Sequence, residues 1–145
     1  MSDSLSVEEV LLRNGVWTST VVGNSMSPML RDKQDIVVIE PKPDKEKLKK
    51  YDVVLIRRDG KLVLHRIVKV KKDGFLFVGD NAYYKEIISY EQIIGILTEF
   101  GSGAKLKQVT SKKYKIYAFF RVKTYYIRLL LHKIKLRLKG KNGNK

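Results

Sequence analysis

Cysteine is absent from this 145-residue sequence, and histidine occurs only twice, as His65 and His132. A disulfide framework and cysteine-based metal sites are therefore excluded, and a histidine-rich metal site is not expected. We expect no cofactor and no bound metal. A chain of this length can bury the core of one domain without such cross-links.

Long apolar runs are also missing. No stretch approaches the roughly 18 uncharged apolar residues that a membrane-spanning helix needs. The first fifteen residues carry Asp3, Glu8 and Glu9 and lack the basic and then apolar order of a secretory signal. We therefore expect neither a transmembrane helix nor a signal peptide.

Acidic residues are missing from the last part of the sequence. Residues 105–145 hold fourteen Lys and Arg and no Asp or Glu, whereas residues 1–104 hold sixteen basic and fifteen acidic residues. We therefore predict a nearly neutral body over 1–104 and a basic, helical extension over 105–145. Such a charge excess favours an anionic partner. Apolar residues between the basic ones favour a membrane surface, and interleaved Tyr and Phe leave nucleic acid as the second possibility. We expect a cytoplasmic protein held peripherally at the membrane surface.

Local signals predict a mainly β fold with a helix at each end. Ser6 and Glu9 form a capping box and Gly15 is a stop signal, which predicts a helix over Val7–Asn14. Segments rich in β-branched and aromatic residues predict strands at Val16–Val22, Ile36–Glu40, Val53–Arg57, Lys61–Val70, Gly74–Val78 and Ile93–Thr98.

Residues 112–139 contain no Gly, Pro, Asp or Glu and are predicted to form one basic helix. Helical spacing predicts a cationic stripe of Arg121, Arg128, His132, Lys135 and Lys139. A neighbouring apolar stripe is predicted from Ile116, Phe120, Ile127, Leu131, Ile134 and Leu138. This apolar stripe could face lipid, or it could pack on the body and leave the charges solvated.

Three residues supply the chemistry of a serine hydrolase in the order Ser25, His65 and Asp80. A serine hydroxyl needs an adjacent base, an imidazole can accept its proton, and a carboxylate can orient that imidazole. A tight turn such as the one around Ser25 can also aim backbone N–H groups at an oxyanion. From the residue types alone, each has a structural alternative: a serine that caps a turn, a hydrogen-bonded strand histidine, and an aspartate in the Gly79–Asn81 turn.

Five segments in order resemble the type I signal peptidases and their relatives, the repressor-type self-cleaving peptidases (the S26 and S24 groups of serine peptidases). In the first segment, Ser25, Met26 and Pro28 match the Ser-x-Met-x-Pro box. The Leu64–Val68 segment resembles the His-Arg box of the branch in which histidine replaces a lysine base. The remaining segments resemble a second strand, a Gly-Asp-Asn box and a closing strand, at Lys50–Ile56, Phe77–Asn81 and Ile93–Ile96.

This resemblance implies coiled antiparallel sheets of the signal-peptidase and repressor-peptidase type and a serine endopeptidase that cleaves leader or signal segments after a small residue. It implies Ser25 as nucleophile, His65 as general base and Asp80 as the residue that orients the base, with Glu86 as a weaker candidate. The turn and the oxyanion site would be supported by Gly23, Asn24, Met26 and Pro28. Two departures are Gly23, where many relatives have a serine, and Tyr51, where glycine is usual.

Two other functions remain open at this point. The chain could be an inactive binding module of the same fold that uses its basic tail on lipid or nucleic acid. It could also be a self-cleaving regulator, although those relatives cut an Ala-Gly or Cys-Gly bond and neither pair occurs in these residues.

Overall fold

An antiparallel sheet forms the centre of the protein in the computed structural model, which describes residues 4–143. Its strands are β1 (Trp17–Thr20), β2 (Ile36–Glu40), β3 (Val53–Arg58), β4 (Lys61–Lys71), β5 (Gly74–Val78), β6 (Glu86–Ile88), β7 (Ile93–Ser102) and β8 (Lys105–Gln108). The strand order is β1-β2-β7-β3-β4-β5-β6, and β8 pairs with β7. The predicted mainly β, antiparallel fold is confirmed.

Three α-helices accompany the sheet in this part of the chain: α1 (Val7–Asn14), α2 (Lys112–Lys123) and α3 (Tyr125–Asn142). Helix α1 has the predicted bounds, because Ser6 and Glu9 form the capping box and Gly15 ends the helix with a left-handed φ of 70°. Two strands, β2 and β5, also have the predicted bounds. The short strands β6 and β8 were not predicted, since one has three residues and the other is exposed and lysine-rich.

The predicted C-terminal helix is divided into two at Thr124. The Thr124 hydroxyl donates to the carbonyl of Phe120 at 2.7 Å, and Nη2 of Arg128 donates to the carbonyl of Arg121 at 2.8 Å. These side chains satisfy carbonyls at the end of α2, so the helical hydrogen-bond ladder stops there and begins again in α3.

Strand β3 separates two apolar clusters because its side chains alternate between the faces of the sheet. Val53 and Leu55 belong to a cluster that also contains Met26 and Leu30, whereas Val54 and Ile56 belong to a cluster built around Phe75 and Phe77 on β5. Both faces of the central strands are therefore buried.

The basic C-terminal residues pack onto this body. Residue 104, the predicted boundary, lies in the turn between β7 and β8, which are neighbours in the sheet. Helix α2 buries Tyr114 and Ala118 in the cluster that contains Met26. The sheet and one of its cores thus continue into residues 105–145.

Candidate active site

A cleft of about 400 Å³ contains both residues that the sequence assigned to catalysis, Ser25 and His65. One wall comes from the end of β1 and the turn that follows it, and the other comes from the first half of β4. The floor is largely apolar and includes Met26, Leu30, Val37, Leu55 and Leu64. The structure therefore brings the hydroxyl-bearing turn and the imidazole-bearing strand to the same cleft.

Ser25 lies exposed in the turn between β1 and β2. The turn is shaped by Gly23, whose φ of 96° lies in the left-handed region, and the N–H of Gly23 donates to Oδ1 of Asp32 at 2.8 Å. Among the described residues, neither the hydroxyl nor the backbone N–H of Ser25 has a hydrogen-bond partner. Both groups are therefore free to meet a ligand in the cleft.

The loop after β5 is hydrogen-bonded to the turn that contains Ser25. The N–H of Asn81 donates to the carbonyl of Ser25 at 2.8 Å, and its side-chain amide donates to the carbonyl of Asn24 at 3.2 Å. Gly79 lies so close that a Cβ there would be 2.6 Å from the Ser25 carbonyl oxygen and 2.9 Å from Nε2 of His65. Gly79 is thus the point at which the serine turn and the histidine ring approach each other.

Met26 and Pro28, the other matched residues of the box, lie on opposite sides of the turn. Met26 is buried in the core, and its sulfur accepts a long hydrogen bond of 3.4 Å from the N–H of Asp80. Pro28 is exposed and follows a cis peptide bond. Burial of Met26 anchors the turn while Ser25 beside it stays in the open cleft.

His65 lies on β4 opposite Val54 of β3, with its ring 4.8 Å from that of Phe77. The residue is only 3% exposed, and this burial lowers the pKa of the imidazole to about 4. Its Nδ1 is buried without a hydrogen-bond partner among the described residues. In this part of the chain, the imidazole also makes no hydrogen bond to Ser25. The imidazole is therefore neutral at neutral pH.

The Asp80 carboxylate contacts Arg66 rather than His65. Nε and Nη2 of Arg66 each donate to one of its oxygens at 2.8 Å, and the Tyr117 hydroxyl donates to Oδ2 at 3.0 Å. The Glu86 carboxylate forms an ion pair with Arg58, a residue that lines the cleft. Within the described residues, therefore, neither predicted carboxylate makes the hydrogen bond to the imidazole that the role of orienting it would require.

Arg66 was assigned no role from the sequence, although it holds the Asp80 carboxylate. It is fully buried, and although burial alone would lower the pKa of its guanidinium, the hydrogen bonds and charge of Asp80 raise that pKa above the usual value. The apolar neighbours on its face of β4, Leu64 and Val68, were the available signal of burial. Within the described residues, His, Asp and Glu side chains form no group of three that could hold a metal ion.

Comparison with known proteins agrees with this architecture. No curated protein matches the sequence significantly. The family model of the S24-like peptidases matches residues 2–98, which include the serine turn, β4 and the loop after β5. Because this match covers well over half of the sequence, the chain belongs to the S24-like peptidase family.

Proposed function

We propose that the protein is a serine endopeptidase of the signal-peptidase-like type, with Ser25 as nucleophile and His65 as general base. The observation that carries the proposal is the shared cleft: it is lined by an exposed serine with free hydroxyl and N–H groups and by a neutral imidazole, and the Ser25 carbonyl and Nε2 of His65 both lie next to Gly79. A serine with a nearby base is the minimum that acyl transfer requires.

In the proposed reaction, Nε2 of His65 takes the proton of the Ser25 hydroxyl as the oxygen attacks the carbonyl carbon of the substrate. No hydrogen bond restrains the Ser25 side chain, so its rotation towards the imidazole needs no other contact to break. The N–H of Ser25 stabilises the resulting oxyanion. The imidazolium then gives its proton to the leaving amine, and water hydrolyses the acyl-enzyme with His65 again as base.

The substrate would bind as an extended strand. On β4, residues 61–64 pair only with β3, because the pairing with β5 begins at Arg66. Strand β1, on the opposite wall of the cleft, pairs only with β2. These unpaired edges can each donate and accept main-chain hydrogen bonds to a peptide between them, which is the usual mode of strand addition. The resemblance implies a small residue before the cut and a leader or signal segment as substrate.

Labelling with a serine-directed fluorophosphonate tests the assignment. We expect the wild-type protein to be labelled and Ser25→Ala and His65→Ala to lose the label. Ser27→Ala is the matched control, because its hydroxyl lies two residues away and donates to the carbonyl of Leu30 at 3.3 Å. Labelling that persists in Ser25→Ala or His65→Ala contradicts the assignment, and a folded wild-type protein without labelling favours the inactive binding module.

Self-cleavage is the second candidate, because the S24-like family match does not separate it from cleavage of another chain. The absence of Ala-Gly and Cys-Gly pairs from the sequence argues against it. Incubation of the pure protein at raised pH, followed by mass spectrometry, distinguishes the two. We expect an intact chain, and two fragments that are lost in Ser25→Ala would identify self-cleavage.

A further inference from the structure

Helix α3 uses one narrow side to contact the rest of the protein. Tyr125, Arg128, Leu129 and His132 are the buried or half-buried residues of this helix, and every described residue beyond His132 is exposed. Their spacing of three and four residues places them on one face. The helix is therefore docked by its first two turns and extends beyond the body.

The opposite side of both C-terminal helices is apolar and exposed. At 3.6 residues per turn, the exposed apolar side chains of α2 and α3 point away from the residues of the same helices that contact the body. They form what we call the outer apolar face, each between 44% and 61% exposed: Ile116, Phe120, Ile127, Leu130, Leu131, Ile134 and Leu138. This arrangement opposes the usual one, in which the apolar side of a surface helix faces the core.

The first residues of the predicted cationic stripe, in contrast, face the body. Nε of Arg121 and Nη1 of Arg128 donate to the carbonyl of Asp80 at 3.0 and 2.9 Å. The His132 ring stacks on that of Tyr83 at 3.8 Å. Part of the predicted cationic stripe is therefore turned towards the body, and the outer face of α3 is apolar at its centre.

Basic residues border the outer apolar face on both sides. Lys133 and Arg137 lie along one edge of the outer apolar face on α3 and Lys135 lies along the other, as helical geometry places them. No acidic residue occurs after residue 104 to neutralise them. An apolar strip with cationic borders fits the boundary between acyl chains and anionic headgroups.

We propose that the outer apolar face binds the surface of a membrane containing anionic phospholipid, with α3 lying along the surface. Nucleic acid fits this face less well, because aliphatic Leu and Ile at its centre neither pair with phosphate nor stack on bases. A second copy of the chain fits less well too, because two such faces would bring their basic borders together with no acidic residue between them. None of the helices within residues 4–143 is long and apolar enough to cross a membrane, so attachment of the described part would be interfacial.

The contacts of α3 place this helix near residues that adjoin the cleft. Tyr84 lines the cleft, and its neighbours Tyr83 and Lys85 contact His132 and Tyr126 of α3. A membrane-bound α3 would therefore keep the body, and with it the cleft, close to the membrane from which a leader or signal segment emerges. This last consequence depends on the proposed peptidase function, whereas the binding itself does not.

Co-sedimentation of the full chain with phospholipid vesicles tests the proposal. We expect binding to vesicles of phosphatidylcholine mixed with phosphatidylglycerol, weaker binding in high salt, and little binding to phosphatidylcholine alone. Neutralising the borders with Lys133→Gln and Arg137→Gln should weaken binding by roughly thirtyfold, from the contribution of each basic residue near a charged leaflet. Lys71→Gln with Lys72→Gln, at the exposed end of β4 and the start of the turn after it, is the matched control and should have a much smaller effect.

The apolar part of the face has its own pair of variants. Ile134→Ser with Leu138→Ser should abolish binding, whereas Leu12→Ser, at a position on α1 that is 86% exposed, should leave it unchanged. Unchanged vesicle binding in Ile134→Ser with Leu138→Ser would overturn the proposal, because attraction would then be by charge alone. A protein that binds duplex DNA but no vesicles, or one that self-associates and ignores them, would overturn it as well. All of these readouts are independent of labelling at Ser25.

Discussion

Arg66 and Asp80 form a bidentate ion pair in which both side chains are withdrawn from solvent, with relative exposures of 0% and 2%. The second guanidinium edge donates through Nη1 to the carbonyl of Tyr51 and to the hydroxyl of Tyr114, each at 2.9 Å. One side chain thus joins β4, the loop before β3, helix α2 and the loop after β5. Asp80 lies between Gly79 and Asn81, the two residues that contact the Ser25 carbonyl. The Arg66–Asp80 pair therefore supports the serine turn without contacting Ser25.

Loss of one partner of the Arg66–Asp80 ion pair should lower the free energy of unfolding. Arg66→Met leaves the Asp80 carboxylate buried without its cation, and we expect a loss of about 3–5 kcal/mol in the free energy of unfolding, measured with urea. Arg57→Met is the control, because its ion pair with Glu8 is half exposed and should contribute less than about 1 kcal/mol. Equal losses in the two variants would show that burial of Arg66 does not decide its contribution.

A double-mutant cycle isolates the pair itself. Asp80→Asn should also destabilise the protein, and the combined variant should lose much less than the sum of the two single losses, because no unpaired charge then remains in the core. Additive losses would contradict the interpretation that Arg66 and Asp80 act mainly on each other.

The residues of the site were predictable from sequence to different degrees. Ser25 and His65 were found because each lies in a short segment whose order of residue types is specific, and the structure places both at one cleft. The contact of Asp80 was not predictable, because it depends on which face of β4 meets the loop after β5. Strand β4 presents His65 on one face and Arg66 on the other, and α2 brings Tyr117 to the Arg66 side. A carboxylate in that loop therefore meets the guanidinium.

Tyr51 shows a different limit of sequence reasoning. It occupies a position where the resembling peptidases have glycine, and its φ of 84° is indeed in the region that favours glycine. The fold keeps this backbone conformation because the Tyr51 carbonyl accepts from Arg66 and its N–H donates to the carbonyl of Ile67 at 2.8 Å. The tyrosine ring packs near Phe119 of α2, a contact that no local pattern indicates.

Gly79 should be required for the approach of Ser25 to His65. In Gly79→Ala, the added methyl group would overlap the Ser25 carbonyl and the His65 ring, so the turn and the strand must move apart. A displacement of this kind should slow fluorophosphonate labelling by roughly a hundredfold. Gly140→Ala is the matched control, because a Cβ at Gly140 meets nothing within 4 Å. Normal labelling in Gly79→Ala would show that the close approach is unnecessary.

The acid dependence of stability should report the burial of His65. Its pKa is about 4 in the folded protein against an ordinary value of 6.5, so the unfolded chain takes up a proton first as the pH falls. The contribution of His65 to the free energy of unfolding is therefore fully present above pH 6.5. It declines as the pH falls to 4, by about 1.4 kcal/mol per pH unit over most of that range. Urea unfolding of wild type and His65→Gln at several pH values measures this, and the variant should lack that part of the slope. Parallel pH profiles would contradict a neutral, buried imidazole.

The same lowered pKa sets the acid limb of the labelling rate. Because the free imidazole must be unprotonated to act as base, the rate should fall only near pH 4 to 5 and not near the ordinary histidine value. Measurement of the labelling rate between pH 4 and 8 in one buffer series checks this. An acid limb centred near 6.5 would indicate that the imidazole is solvated when the probe binds.

The hydroxyl of Tyr117 should stabilise the protein. That hydroxyl donates to the buried carboxylate of Asp80 at 3.0 Å, and burial together with the Asp80 charge raises the pKa of Tyr117, so the donor keeps its proton. Tyr117→Phe removes one hydrogen bond to a charged group and should cost about 1.5–3 kcal/mol in urea unfolding. Tyr126→Phe is the control, because that ring is 66% exposed on α3 and its contact with Lys85 is on the surface. If the two variants are equally stable, the Tyr117 hydroxyl is not part of the network that holds Asp80 against Arg66.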